Sequence, residues 1–195
     1  MKTKIAGRTP AWLLLVCVLL QGCETVRMRA PAASEHNVAF LRAAGLAPVS
    51  VGNFAIDPKN FGKNGRIDLR GAYLGSPYGG TFGEYLREII KTEFAAAGLY
   101  QANAETVITG VLTEGHLDAG WSTGAGSLKG VFSVTSKGVE TYRREIGFVE
   151  SWESSLAAAV AESTAVSRYE GMFQKMVGEL FNDPAFHKAL RDRQR

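Results

Sequence analysis

The feature that most constrains the fold is an amphipathic helix that the sequence marks at both ends. Thr81 followed by Glu84 matches a capping box, in which each side chain bonds a free N–H of the other residue, and Gly98 is typical of a helix C-terminus. Apolar residues recur between them at intervals of three and four and therefore share one face: Phe82, Tyr85, Leu86, Ile89, Ile90 and Phe94. The rest of the chain must supply an apolar surface on which this face packs.

Strand patterns precede and follow this helix. Residues 48–56 are rich in β-branched and aromatic residues and predict one strand, whereas residues 57–80 predict a glycine-rich loop with a short strand at 66–69. After the helix, three strands are predicted at residues 106–117, 128–136 and 140–152. Lys137 and Gly138 separate the last two and predict a tight hairpin, because glycine readily adopts a positive φ.

A second long helix is predicted at residues 158–180, where an apolar stripe runs from Ala161 to Leu180. Asp183 and Pro184 then predict a short third helix, with Asp183 as its N-cap and Pro184 as its first residue. The resulting order is β-α-β-β-β-α. It predicts an α+β two-layer sandwich, in which a mainly antiparallel four-stranded sheet carries two long helices on one face and a short C-terminal helix.

The N-terminus has the three parts of a secretory signal. Lys2, Lys4 and Arg8 are basic, residues 11–20 are all apolar, and the sequence Leu-Gln-Gly-Cys ends at Cys23. The apolar run is too short to span a bilayer. Leu-Gln-Gly-Cys resembles a bacterial lipobox, except that Gln21 occupies a position where a small residue is more common.

The lipobox resemblance implies cleavage between Gly22 and Cys23, and a Cys23 that carries a thioether-linked diacylglycerol and an N-acyl chain such as palmitate. Two or more chains anchor a protein stably, since each buried CH₂ contributes ~0.8 kcal/mol. Glu24, rather than Asp, follows the cysteine, which implies the outer membrane with the domain on its periplasmic face. The predicted divisions are a signal peptide at 1–22, a lipidated cysteine and tether at 23–40, and a single α+β periplasmic domain at 41–195.

The charge of the mature chain excludes one class of partner. The sequence has 22 Lys and Arg against 19 Asp and Glu, and the whole excess of three lies in the signal peptide, at Lys2, Lys4 and Arg8. Nucleic-acid binding depends on a basic excess or cluster, and the mature sequence has neither. Cys17 leaves with the signal peptide and Cys23 is acylated, so no disulfide is expected.

The sharpest enzymatic pattern is Gly120-Trp121-Ser122-Thr123-Gly124, which matches the G-x-S-x-G nucleophile elbow. That elbow requires a helix after the serine, but here another strand is predicted. Asp183 and His187 follow in the order required of triad partners, although they are better explained as a helix cap and a helix surface. We therefore predict a glycine-rich hairpin loop and no catalytic residue, with a serine hydrolase that uses Ser122 as the alternative.

The histidines do not have metal-binding spacing. His36, His116 and His187 never lie three or four residues apart, as zinc ligands on one helix do. Glu114 and Asp118 would share a strand face with His116, which indicates either a weak cation site or an exposed polar strand end, and we favour the second. No metal and no cofactor are predicted.

The domain resembles the YajG-like lipoproteins and the wider set of envelope lipoproteins that includes the ABC-transport-auxiliary and LptE-type proteins. The resemblance covers about residues 45–190. It rests on core residues and caps, and not on a catalytic signature: residues 82–100, 107–112, 142–155 and 183–186, with Tyr169 and Leu180. It implies a non-enzymatic accessory protein of envelope assembly or lipid transport, whose partner is an envelope protein or a lipid.

Three residues are candidates for partner contact. Trp121 lies in the predicted glycine-rich loop and either touches a lipid or partner or covers one end of the core. Arg143 and Arg144 mark either a partner surface or an edge strand protected by charge. The sequence thus predicts a non-enzymatic outer-membrane lipoprotein, held by acyl chains on Cys23, that acts as a periplasm-facing adaptor. A carrier whose sheet and helices enclose a lipid chain is a further alternative.

Overall fold

The computed structural model describes residues 25–62, 65–78 and 81–191. This part of the chain contains both helices and strands, and the predicted α+β class is confirmed. The strands are β1 (Thr25–Arg27), β2 (Ser50–Ile56), β3 (Ile67–Leu69), β4 (Ala72–Gly75), β5 (Thr106–Asp118), β6 (Thr123–Ser136) and β7 (Val139–Glu153). The helices are α1 (Glu35–Ala43), α2 (Phe82–Ala97), α3 (Ala158–Phe181) and α4 (Pro184–Leu190).

The four-stranded sheet has the order β2-β5-β6-β7 and is mixed. β5, β6 and β7 form an antiparallel meander, but β2 runs parallel to β5. The prediction of a mainly antiparallel sheet is therefore wrong for β2. The physical reason is the connection: α2 lies between β2 and β5 and carries the chain back along the sheet, which makes the next neighbouring strand parallel.

The hairpin between β6 and β7 matches its sequence prediction. Lys137 has a φ of 51° and Gly138 a φ of 80°, and two consecutive positive φ values are the signature of a type I′ turn. The turn pairs Ser136 with Val139, and an irregularity between Thr135 and Val134 then shifts the register by one residue, so that Val134 pairs with Tyr142. As a result, Tyr142, Ile146 and Trp152 all face the helices.

The core lies between this sheet and the long helices. Strand residues such as Phe132 and Leu128 are completely buried, as are the helix residues that face them. Ring-edge contacts join α2 to α3 within the helical layer: the rings of Phe82 and Tyr169 are 6.3 Å apart, and those of Tyr85 and Phe173 are 5.1 Å apart. Among the described helices, none combines the length and the hydropathy needed to cross a membrane.

A second, three-stranded sheet with the order β1-β4-β3 was not predicted. The sequence predicts a glycine-rich loop here with one short strand at 66–69, because strands of three and four residues are too short to show a clear alternation. Ile67, Leu69 and Leu74 of this sheet are buried in the common core. The small sheet therefore extends the main core.

The described part of the predicted tether, residues 25–40, is folded. Thr25 begins β1, and α1 starts at Glu35 after an N-cap by Ser34. The buried carboxylate of Glu93 on α2 accepts hydrogen bonds from the Ser34 N–H at 3.1 Å and from Asn37 Nδ2 at 3.1 Å. Burial raises the pKa of Glu93, and these two hydrogen bonds oppose that rise. The sequence predicts a tether here because the long-range partners of this polar segment leave no local pattern.

Asp183 begins α4 as predicted. Its carboxylate accepts a hydrogen bond from the Ala185 N–H at 2.8 Å, and Pro184 occupies the first helical turn. The same carboxylate accepts the Tyr142 hydroxyl at 2.7 Å and pairs with Arg144 Nη1 at 2.8 Å. Burial alone would raise the pKa of Asp183, but the hydrogen bonds from Arg144, Tyr142 and Ala185 outweigh it and lower that pKa.

We expect Asp183→Ala to lower the free energy of unfolding at neutral pH by about 2–4 kcal/mol, because it removes a helix cap and leaves the buried Tyr142 hydroxyl unpaired. The folded-state pKa of Asp183 is lowered, so its stabilisation is present above the unfolded value, about 3.9, and is lost as pH falls through the folded value. Urea unfolding should therefore show a difference between wild type and variant that shrinks below about pH 4. A constant difference across that range would contradict the role assigned to the charge.

Candidate functional site

The chain enters the described structure at one end of the domain. Gly22 and Cys23, the predicted cleavage and lipidation residues, lie outside the described residues. Thr25 pairs with Tyr73 near the turn of the β3–β4 hairpin. We call the end that contains this turn the entry end; the hairpin turn at Lys137 and Gly138 lies at the opposite end of the sheet.

An ion pair holds the entering segment on α3. Glu170 accepts three hydrogen bonds from Arg29: from the backbone N–H at 2.7 Å, from Nε at 2.9 Å and from Nη2 at 2.6 Å. The Glu170 carboxylate is nearly buried, and its hydrogen bonds raise the pKa of Arg29. A forked contact of this kind fixes both position and orientation, so β1 is tied to the domain body.

Arg70 assembles the loops of the entry end. Its Nη2 donates to the backbone oxygens of Ala119 at 3.2 Å and Ser155 at 3.1 Å, and also to that of Gly120. The guanidinium carbon lies 4.7 Å from the centroid of the Trp121 ring, which is a cation–π contact. The sequence does not predict this role of Arg70: an Arg-Gly pair in a glycine-rich stretch suggests a turn, but nothing local reveals three distant carbonyl partners.

Ser122 lies in the turn between β5 and β6, and a strand follows it. The strand-to-helix geometry of a nucleophile elbow is therefore absent at this residue. The glycines of the motif have packing roles instead. A Cβ at Gly120 would overlap the Thr123 carbonyl oxygen, and a Cβ at Gly124 would overlap the Trp152 indole.

The proposed triad partners of Ser122 lie at the far end of the sheet. The Ser122 carbonyl oxygen accepts the Ser154 N–H at 2.9 Å, just beyond the end of β7. Asp183 pairs with Arg144 near the start of β7, about ten residues away, which is about 33 Å of strand. His187 Nε2 is hydrogen-bonded to the Phe181 backbone oxygen. The structure thus does not bring the three residues of the alternative serine hydrolase together.

The two arginines predicted as one contact surface face opposite ways. Arg144 points to the helix side, where it pairs with Asp183. Arg143 lies on the other side of β7 and contacts Glu140 at 3.5 Å and the Ser133 hydroxyl at 3.3 Å. Neighbouring residues on a strand alternate between faces, so only Arg143 remains a candidate for contact on the uncovered side.

That uncovered side is the second candidate surface. We call it the open face: the face of the four-stranded sheet turned away from the helices. Val111 and Val149 on this face are 40% and 84% exposed. Between and around them lie polar and charged side chains: Thr109, Glu114, His116, Ser127, Lys129, Arg143 and Glu145. Exposed valine thus lies among polar and charged side chains on the uncovered side of the sheet.

Glu114, His116 and Asp118 share the open face, as predicted. Glu114 pairs with Lys129 at 3.4 Å, and a hydrogen bond from Ser127, aided by Lys129, lowers the pKa of Glu114. The carboxylate of Asp118 accepts the Gly120 N–H at 2.9 Å. Each acid thus has a partner within the chain, and the described residues contain no cluster of three potential metal ligands.

No protein-family model and no curated protein matches the sequence. Among solved structures, protein XCC0632 from Xanthomonas campestris, described with the family name DUF330, is similar with a TM-score of 0.52 and 12% identity, over 80% of this chain and 94% of that one. This likeness shows a shared fold.

Two further solved structures are similar at lower scores. The hypothetical protein CT253 from Chlamydia trachomatis has a TM-score of 0.43 and 10% identity, over 70% of this chain and 96% of that one. A minor lipoprotein from Acinetobacter baumannii has a TM-score of 0.43 and 12% identity, over 77% and 98%. These two scores are too low to indicate a common fold.

We expect Glu170→Ala to release the entering segment, because Arg29 loses the acceptor of all three hydrogen bonds. Limited trypsin digestion should then cleave after Arg27 and Arg29 several-fold faster than in wild type, since cleavage requires local opening. Glu179→Ala, which removes an exposed carboxylate near the C-terminal end of the same helix, is the matched control and should leave the rate unchanged. Equal rates in wild type and Glu170→Ala would show that the ion pair does not hold the segment.

Proposed function

We propose that the mature chain is a lipid-anchored protein of the bacterial envelope, attached to the outer membrane by acyl chains on Cys23 and facing the periplasm. The observation that carries this proposal is the position of the lipobox cysteine, two residues before Thr25, which is the first described residue and the first residue of β1. The Arg29–Glu170 contact follows four residues later and ties this segment to α3. Acyl chains on Cys23 would thus hold the domain itself close to the bilayer.

We propose further that the protein acts without making or breaking bonds, as an accessory subunit that binds another envelope protein through the open face. The exposed Val111 and Val149, with Arg143 and the Glu114–Lys129 pair around them, provide the surface. Confinement to a membrane raises the effective concentration of the two partners, so a modest interface suffices.

The lipid-carrier alternative has weaker support. A carrier needs internal space for an acyl chain between the sheet and the helices. In this protein, buried rings from both layers fill that region. Phe54 and Phe132 of the sheet are 6.4 Å apart, and Tyr169 and Phe173 of α3 are 5.4 Å apart. A groove of about 730 Å³ lies outside this layer and is lined partly by charged and polar side chains, Arg29, Asn37, Glu170 and Gln174 among them.

Replacement of Cys23 by Ser tests the anchor. We expect the variant to appear in the soluble periplasmic fraction, whereas the wild type sediments with outer membranes, because acyl chains supply the membrane affinity. Mass spectrometry of the N-terminal peptide should find a triacylated cysteine only in the wild type. A wild-type chain that starts at Met1, or a serine variant that still sediments with membranes, would contradict the proposal.

Site-specific photocrosslinking tests the accessory role. A photoreactive amino acid at Val149, on the open face, should give a discrete crosslinked product with an envelope protein in intact cells. The matched control is Ala95, which is exposed on the helical side of the domain. Arg143→Glu should reduce the Val149 product several-fold if charge on this face contributes to binding. Products of equal intensity at both positions, or at neither, would contradict an interface on the open face.

A further inference from the structure

Three large apolar side chains are exposed on segments that meet at the entry end. Trp121 is 71% exposed, Leu156 is 75% exposed and Val160 is 55% exposed. They come from three separate segments: the β5–β6 turn, the β7–α3 loop and the first turn of α3. We call these three residues the entry patch, because all of them lie at the entry end.

Hydrogen bonds hold the segments of the entry patch together. The Ser154 N–H donates to the Ser122 carbonyl oxygen at 2.9 Å, which joins the β7–α3 loop to the β5–β6 turn. Arg70 then bonds the Ala119 and Ser155 carbonyl oxygens and lies against the Trp121 ring. These hydrogen-bonded segments hold the indole in place, so it is exposed to solvent in the folded protein.

Arg70 also connects the entry patch to Thr25, the first described residue. Arg70 lies at the turn that leads into β4, and Thr25 pairs with Tyr73 just after this turn. On the other side, Val26 and Ala159 line one hollow, and Ala159 precedes Val160 at the start of α3. The first described residue and the entry patch therefore share one end of the domain.

The covalent chain limits how far this end can stand from an acylated Cys23. Cys23 lies two residues before Thr25, and an extended chain spans at most about 3.5 Å per residue, so their Cα atoms are within about 7 Å of each other. A bilayer that holds the acyl chains must therefore lie next to the entry end. The chemistry of the patch suits that position, since tryptophan favours the membrane–water interface and aliphatic side chains favour its apolar side.

We propose that Trp121, Leu156 and Val160 insert into the interface of the phospholipid bilayer that carries the acyl chains of Cys23. This inference rests on the lipid anchor proposed above. The acyl chains supply attachment, and the entry patch supplies a second contact that sets the orientation of the domain. With both contacts made, the long strands β5 and β6 point away from the membrane, and the open face remains accessible to a protein partner.

Tryptophan fluorescence tests this insertion with the full acylated protein. The mature chain has two tryptophans, the exposed Trp121 and the buried Trp152, because Trp12 belongs to the signal peptide. The protein is reconstituted in vesicles of phosphatidylethanolamine and phosphatidylglycerol, with or without bromine on the acyl chains. We expect brominated lipid to remove roughly half or more of the Trp121 emission, because bromine quenches an indole that lies at the interface.

Matched variants separate the patch from the rest of the molecule. Trp121→Phe leaves only Trp152, which packs against Gly124 at the same end but is buried, so brominated lipid should reduce its emission several-fold less than that of Trp121. Leu156→Asp with Val160→Asp should reduce quenching of Trp121 at least severalfold, whereas Val139→Asp, at the opposite end, should not change it. All four substituted side chains are exposed, so the fold is expected to be retained.

Two outcomes distinguish failure of this inference from failure of the anchor. If the wild-type protein does not float with vesicles and lacks acyl chains by mass spectrometry, the proposed anchor is wrong. If it is acylated and floats, but Trp121 emission is the same in brominated and ordinary lipid, the anchor stands and the inserted patch is wrong. Quenching that survives in the Leu156→Asp, Val160→Asp variant would also overturn the patch as defined.

Discussion

The fold depends on close packing between one face of the mixed sheet and the helices α2 and α3. Large rings fill this layer, and glycines in the strands make room for them. At Gly110 a side chain would overlap the Phe54 ring, and at Gly115 it would overlap the Phe61 ring. Burial at about 25 cal/mol per Å² makes such a layer the main source of stability in a domain of this size. The outer elements are placed by their contacts with this layer, including the small sheet and the entering segment.

Local signals in the sequence were sufficient for several elements. Thr81 and Gly98 bound α2 as predicted, and Asp183 begins α4. These features are encoded by neighbouring residues, through caps, turns and a helical period. Features that depend on distant residues were not predictable in this way. The parallel pairing of β2 follows from how the chain crosses over the sheet, and the folding of residues 25–40 depends on Glu93 and Glu170, which are far away in sequence.

The candidate functional residues also divide into those that local sequence explains and those that depend on distant contacts. Gly120 and Gly124 matched a catalytic pattern, yet their environment explains both of them by backbone and ring packing. The sequence predicts both Arg143 and Arg144 as partner-contact candidates, but a strand places adjacent residues on opposite faces. Trp121 is exposed in the loop where the sequence places it, but its contact with Arg70 is visible only in three dimensions. Residue types in the sequence indicate which side chains are unusual, whereas the contacts of each side chain depend on the topology of the fold.

The length of the central strands has a consequence for geometry in the cell. β6 has 14 residues, which corresponds to about 46 Å at roughly 3.3 Å per residue, and β7 is of similar length. If the end of the domain that contains Thr25 is held at a membrane, the turn at Lys137 and Gly138 would lie nearly the length of β6 away from the lipid headgroups. Under the proposed anchor, the sheet would act as a rigid spacer that sets the distance between the membrane and this turn.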